Sequence, residues 1–366
     1  MGFFSEYKLV NKLLQQKQQV VVFAESRHYY QYFERLISDV LANTAINICY
    51  ITADAKDPLL EKAPERMQVL HIKTMLGFLL SRIKADVLIT TTPDLGNNLL
   101  FKRSPAVGHY IYIFHAAVST HQQYKTDAFY KYDTIFCTGK YQKEEIRAAE
   151  KKYSLPAKQI VEYGYPLFEA INKNKSNAKT NTVLIAPSWF EGCIFDTCIE
   201  DLLNELKDTR YSIVLRSHPE YEKRRKKDFK RIQKLVAGHA SISMDDNPNV
   251  VDTITRADIL ITDRSGIAFE FAFGVKKPVL FIDTVLKQSN PQWKNIGMDP
   301  VENSVRIQLG VSLGPKEINL IHGKIKELET MTPPFSANMQ ALGAYLFYNS
   351  EESYRKGWEY VAGLVK

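Results

Sequence analysis

Continuous apolar, β-branched runs recur along the chain and alternate with stretches of helical period. VVVFAES (20–26), INICYIT (46–52), MQVLHIK (67–73), ADVLITT (85–91), HYIYIFH (109–115) and DTIFCTG (133–139) come first. Most are apolar almost throughout rather than at every second position, the pattern of parallel strands covered on both faces. RHYYQYFERLISDVL, KTMLGFLLSRIK (73–84) and YQKEEIRAAEKKY (141–153) lie between them and read as helices. Parallel neighbours need long crossovers, so this order predicts a doubly wound α/β unit. INKNKSNAKTN (171–181) is polar and without period, which reads as a linker. A second series follows: TVLIAPS (182–188), YSIVLRSHPE (211–220), ASISM (240–244), DILITD (258–263) and KPVLFID (277–283), with helical stretches between.

The fold class is therefore α/β, with two doubly wound Rossmann-like domains over residues 1–172 and 180–330, facing each other across a cleft. Residues 331–366 read as a helical tail, with Thr332-Pro333-Pro334 breaking the helix that precedes it. At 366 residues, each half is long enough to bury its own core. Cys49 and Cys137 sit in apolar runs, and Cys193 and Cys198 lack CxxC spacing. That usage suits a reducing cytoplasm and gives neither a disulfide framework nor a metal site. The N-terminus has no basic segment, apolar core or cleavage site, so no secretory signal is expected. No window reaches the ~18 apolar residues of a membrane span. The formal charge of +7 is concentrated in KRRKKDFKR (223–231). That run is either a solvated helix face or a patch for an anionic surface. Apart from Phe229 it lacks interleaved aromatics, and it flanks no reader motif, so no nucleic-acid partner is expected.

In doubly wound sheets, ligands bind beyond the carboxyl ends of the strands. The residues just past the apolar runs are therefore the candidates. In ITDRSGIAFEFAFG (261–274), Ser265 and Gly266 open a helix, where free amides and the dipole suit a phosphate. The turn alternatively only connects strand and helix. Arg264 adds charge, Asp263 caps or orients the turn, and Glu270 lies about one helical turn on, within reach of a ribose hydroxyl. In LRSHPEY (215–221), Arg216 offers a phosphate fork and His218 a proton-bearing ring. His115 ends an apolar strand and is a candidate general base, whereas His121 reads as a substrate contact or a surface residue. In IAPSWFEG (185–192), Ser188 offers a phosphate contact, and Trp189 either stacks on an organic group or packs the turn. YGYPLFEAI (163–171) reads as the hinge approach to the linker. No Walker A, GxGxxG, HExxH or GxSxG motif is present.

The order of these motifs resembles the CDP-glycerol glycerophosphotransferase family, the teichoic-acid polymerase and primase type. The resemblance is carried by His115, Gly164-Tyr165-Pro166, Ala186-Pro187-Ser188-Trp189, His218-Pro219, Asp263-Arg264-Ser265-Gly266 and the following Glu270, across roughly residues 105–285. The family often has Trp-His-Gly-Thr where this chain has Phe114-His115-Ala116-Ala117, and Asp-Tyr-Ser-Ser where it has Asp263 to Gly266. The resemblance implies a GT-B fold and transfer of glycerol phosphate, or a related alditol phosphate, from a CDP-activated donor to a hydroxyl, with CMP leaving. It implies that His115 deprotonates the acceptor and that Arg216 and His218 hold the diphosphate. Ser265 and Gly266 then bind phosphate, and Glu270 the ribose. The implied acceptor is a cell-surface polymer or its lipid-linked precursor, such as teichoic acid or capsule. The 223–231 run then suits an enzyme peripheral on the inner face of the membrane. No metal cage or other cofactor is expected, although Mg²⁺ can ride on the diphosphate with few protein ligands. A UDP-sugar glycosyltransferase or 2-epimerase shares the phosphate turn and the ribose carboxylate, and is the alternative.

Overall fold

A computed structural model describes residues 3–97, 101–176, 178–239 and 241–366. Asn177 of the expected linker and Ala240 of the ASISM run lie outside them. The first half holds seven strands: β1 (Lys17–Ala24), β2 (Ile48–Thr52), β3 (Met67–His71), β4 (Lys84–Thr90), β5 (Val107–Ile113), β6 (Thr134–Cys137) and β7 (Gln159–Glu162). They form one all-parallel sheet in the order β3-β2-β1-β4-β5-β6-β7. The second half holds β8 (Thr182–Ile185), β9 (Ser212–Leu215), β10 (Ile242–Met244), β11 (Ile259–Thr262), β12 (Val279–Ile282) and β13 (Gly310–Leu313). These are also all parallel, in the order β10-β9-β8-β11-β12-β13.

Two strands have no counterpart in the sequence reading, β7 and β13. Both are sheet edges, and their burial is mixed. An edge strand has one neighbour and needs fewer apolar residues, so QIVE and GVSL give little signal. The tail also departs from expectation. Helix Ile321–Leu346 runs through the predicted break at Thr332-Pro333-Pro334. A proline inside a helix costs about 3 kcal/mol. The helix buries Ile321, Ile325 and Leu328 in the core of the second half, and Phe335 and Met339 in a core shared by both halves. At ~1.5–3 kcal/mol per large side chain, that burial outweighs the proline cost. The last helix, Glu351–Leu364, returns to the first half, where Tyr354 and Val361 join Phe136 and Tyr163 in its core.

The two halves meet through apolar packing and polar contacts. Tyr165, Phe168 and Ile171 pack with Phe269, Phe271 and Phe273 in one cluster. A Cβ on Gly274 would lie 2.7 Å from the Ile171 side chain, so the helix Leu167–Asn174 seats directly on the backbone there. His28 Nδ1 lies 3.3 Å from the Pro248 carbonyl, and the Val250 amide donates to Gln31 at 3.3 Å. No helix among the described residues is long and apolar enough to cross a membrane.

Candidate active site

The strand order of the second sheet reverses between β8 and β11, which are hydrogen-bonded neighbours. That switch point opens a crevice at the strand ends. IAPS leaves β8 there and TDRSG leaves β11, so the topology itself brings Ser188 beside Asp263–Gly266. Asp263 is fully buried and joins the two loops. Its Oδ1 accepts from the Ser188 amide at 2.8 Å and the Arg264 amide at 2.6 Å, and its Oδ2 from the Ile194 amide at 3.0 Å. Burial nevertheless raises its pKa, with these bonds opposing. Asp263 is thus turned inward as the strut of the crevice. The Ser188 hydroxyl beside it is buried and has no partner.

Beyond the turn, the chain forms a short α segment, Ile267–Phe269, and then a π segment, Glu270–Val275. Gly266 has an ordinary helical φ of −62°. Its lack of a side chain matters for another reason: a Cβ would sit 3.4 Å from both Ala116 and Val118 of the first half. The DRSG turn therefore lies against the stretch just after His115. Small Ala116 stands at this contact.

Three cations gather beside the turn, two of them absent from the sequence-derived set. Arg306 donates from Nη1 to the Asp263 carbonyl at 3.1 Å and from Nη2 to Asp283 at 2.7 Å, over the Phe281 ring at 3.9 Å. Arg264 approaches Asp283 at 3.9 Å. The Nε atoms of Arg264 and Arg306 are buried without partners. Lys287 lies over the Trp189 ring at 5.8 Å. Burial lowers its proton affinity, while Asp263 and Glu302 hold it up. The three line an open pocket together with Ser265 and Gln123. Neither VLKQ nor VRIQLG carries a local signal, because only the chain path after β12 and the last strand crossover bring Lys287 and Arg306 here.

Both histidines stand at the same crevice. His218 caps the helix Pro219–Arg224, its Nδ1 accepting from the Glu220 amide at 3.1 Å. In the neutral ring that bond leaves the proton on Nε2, the other side. Burial keeps His218 well below the usual histidine range, helped by the charges of Lys287, His115 and Arg216. His115 is ringed by Tyr29, Tyr32 and Tyr124 at 5.5, 6.1 and 6.3 Å between centroids. Its Nδ1 is unpartnered. Burial, with Lys287 adding, pushes it down to about 4, so it is a neutral acceptor at physiological pH.

Glu270 lies where the halves touch. Tyr165, positioned by the turn at Gly164 (φ +90°), places its hydroxyl 2.7 Å from Glu270 Oε1 and 3.2 Å from the His115 carbonyl. Burial pushes the Glu270 carboxyl up to about 7. Arg216 is engaged elsewhere: its Nη1 pairs with Asp245 and donates to the Asn247 carbonyl at 2.8 Å. Its charge still lowers the proton affinity of Glu270. The structure thus brings Ser188, Asp263–Gly266, Glu270, His115 and His218 to one crevice and holds Arg216 at its edge. His121 is set apart, with Nε2 3.1 Å from the Met298 carbonyl and Nδ1 3.3 Å from Glu145. Trp189 packs 6.2 Å from the His218 ring.

Residues 6–288 match the model of the CDP-glycerol:poly(glycerophosphate) glycerophosphotransferase family. The chain belongs to that family. Among solved structures it is similar to the wall teichoic acid polymerase TagF soaked with CDPG, at a TM-score of 0.60 and 13% identity, covering 98% of this chain and 93% of that one. It is also similar to S. aureus MnaA with UDP, at a TM-score of 0.58 and 13% identity over 95% and 98% of the two chains. A third is the UDP-GlcNAc 2-epimerase of Neisseria meningitidis bound to UDP-GlcNAc, at a TM-score of 0.55 and 15% identity over 95% and 99%. At such identities the likeness carries the fold, which is GT-B. No curated protein sequence matches the chain.

This glycerophosphotransferase uses CDP-glycerol as its donor class. Such a reaction needs neutralised phosphate oxygens and in-line placement of the acceptor hydroxyl. The crevice supplies three cations, helix-start amides and two neutral histidines. Among the described residues, no group of three or more His, Cys, Asp or Glu is arranged to hold a metal ion.

Proposed function

We propose that the crevice at the β8/β11 switch point binds the donor, with its diphosphate at Ser265 and Gly266 beside Arg264 and its ribose at Glu270. Ser188 gives a further hydroxyl, Asp263 holds the turn, and Arg216 swings from Asp245 to the phosphate. His115 takes the proton of the acceptor hydroxyl, the new O–P bond forms at the β-phosphorus, and the bond to the CMP phosphate breaks. CMP departs with the bonding electrons, and the Nε2 proton of His218 meets its phosphate oxygen. The observation that carries this reading is the placement of two neutral histidines beside a three-cation pocket at the switch point. Residues 1–172 act as the acceptor half and 180–330 as the nucleotide half, with any Mg²⁺ riding on the diphosphate.

Thermal protection tests the donor. At a hundredfold excess over its Kd, a bound nucleotide stabilises by about 2.7 kcal/mol. CMP and CDP are expected to raise the melting midpoint and UDP to leave it unmoved. Protection by UDP alone would move the chain to the UDP-sugar reading.

The acceptor is an anionic surface polymer or its lipid-linked precursor, reached from the inner face of the membrane. Support comes from the helix Lys226–Ala237, which presents Lys226, Lys227, Lys230 and Lys234 outward. At about 1 kcal/mol per basic residue near anionic lipid, four give weak, salt-sensitive docking. Flotation with vesicles containing phosphatidylglycerol should fall several-fold when these four lysines become glutamine. Unchanged flotation would remove this surface.

A further inference from the structure

After β12 the chain does not turn straight into a helix. Residues 284–300 run across to the first half with only one short 3-10 turn, Trp293–Ile296. This strap is fastened there on both sides of that turn. The Ser289 amide donates to the Gln122 carbonyl at 3.1 Å. Asn290 Nδ2 donates to the His121 carbonyl at 2.9 Å, and its Oδ1 accepts from Thr126 at 3.1 Å. Past the turn, Glu302 accepts from the Ser119 amide at 3.0 Å and hydroxyl at 3.2 Å. Lys287 lies two residues before the first fastening. Its ammonium lies over Trp189, whose ring is 6.2 Å from His218, and it lines the pocket that holds Arg264, Ser265 and Arg306. It makes no ion pair among the described residues. Its charge bears on both histidines, lowering the proton affinity of each.

A half-buried ammonium without an ion-pair partner among the described residues, whose charge bears on both groups assigned to base and leaving-group chemistry, is poised for charge that develops during the reaction. We propose that Lys287 is a further catalytic residue, binding a non-bridging oxygen of the phosphoryl group in flight, and that the strap fastened by Asn290 positions it. The inference rests on the donor reading above. Lys287 keeps its protons throughout, so the step needs no co-reactant: the acceptor oxygen bonds to phosphorus as the bond to CMP breaks. Because the strap starts on one half and is fastened to the other, the cation stands in place only while the halves are clasped.

Steady-state transfer from CDP-glycerol, with CMP release as readout, tests this on the full chain. Lys287→Met should lower kcat about 10²–10³-fold, the cost of losing one preorganised transition-state contact. KM for CDP-glycerol and thermal protection by CMP should stay within about threefold of wild type, because CMP lacks the transferred group. Lys287→Arg should restore at least about a tenth of the rate, since it keeps the charge. Asn290→Ala leaves every pocket side chain in place but unfastens the strap, and should lower kcat about tenfold with CMP protection unchanged. A Lys287→Met rate within threefold of wild type would overturn the inference. So would a loss of CMP protection matching the loss of kcat, in either variant. Should Lys287→Met not fold, an Asn290→Ala rate equal to wild type overturns it equally. A wild-type protein that releases no CMP from CDP-glycerol would instead overturn the donor reading, which separates the two failures.

Discussion

His115→Ala is expected to lower transfer from CDP-glycerol by about 10²–10⁴-fold, the contribution of a positioned general base. The fold should survive. The ring's Nδ1 has no partner and it makes no ion pair among the described residues, so removing it costs the bond to the Thr91 backbone and three tyrosine edge contacts but strands no charge. CMP protection should stay at the wild-type level, because the ring belongs to the acceptor side. The pH profile gives a second reading of the same residue. Burial and Lys287 hold His115 down at about 4, so its unprotonated form dominates at neutral pH. The limb that belongs to the base should therefore appear as pH falls through about 4, and the residual rate of the alanine variant should lack that limb. A variant retaining near-wild-type transfer would exclude His115 as the base.

Glu270→Gln is expected to act in opposite directions on stability and on donor binding. The folded carboxyl is raised from 4.5 to about 7, with burial as the first cause. The folded state therefore holds the proton more tightly than the unfolded chain does. Its stabilising contribution is complete below the unfolded value of 4.5 and is lost as pH rises through about 7. Glutamine mimics the protonated form and can still accept from Tyr165. The variant should thus be more stable than wild type at pH 8, by up to about 3 kcal/mol, and no more stable at pH 4. Donor binding should fall about tenfold or more above pH 7, since a charge-assisted bond to the ribose is lost. Denaturant midpoints at both pH values and CMP titrations measure the two arms. Equal midpoints at pH 8, or unchanged CMP affinity, would remove the carboxylate from the role given to it. The stability cost that this residue imposes in the free protein suggests a functional reason for retaining it.

Most of the sheet architecture was legible because parallel strands buried on both faces must be apolar throughout. VVVFA, YIYI, VLIT and VLFI could hardly be anything else once helical stretches separated them. The two strands that were not legible, QIVE and GVSL, lie at sheet edges where that demand relaxes. The unbroken helix across Pro333 and Pro334 was hidden for the converse reason: local backbone chemistry said stop, and burial of Phe335 and Met339 on the far side was invisible in sequence.

The same division runs through the site. The strand-end rule and the chemistry of DRSG, HP and APSW placed the candidates at strand ends, and topology then collected them, because β8 and β11 are neighbours. Sequence spacing alone determined the two-sheet α/β design, the polar turn after β11, and the residue types able to hold a phosphate or move a proton. Only the tertiary structure decided what each could do. It turned Asp263 inward onto three amides, paired Arg216 with Asp245, and buried Glu270 against Tyr165. It also delivered Lys287 and Arg306 to the pocket from segments without a motif. The physical reason is that charge, burial and proton affinity depend on neighbours brought from far along the chain, whereas strand and turn chemistry is set within a few residues.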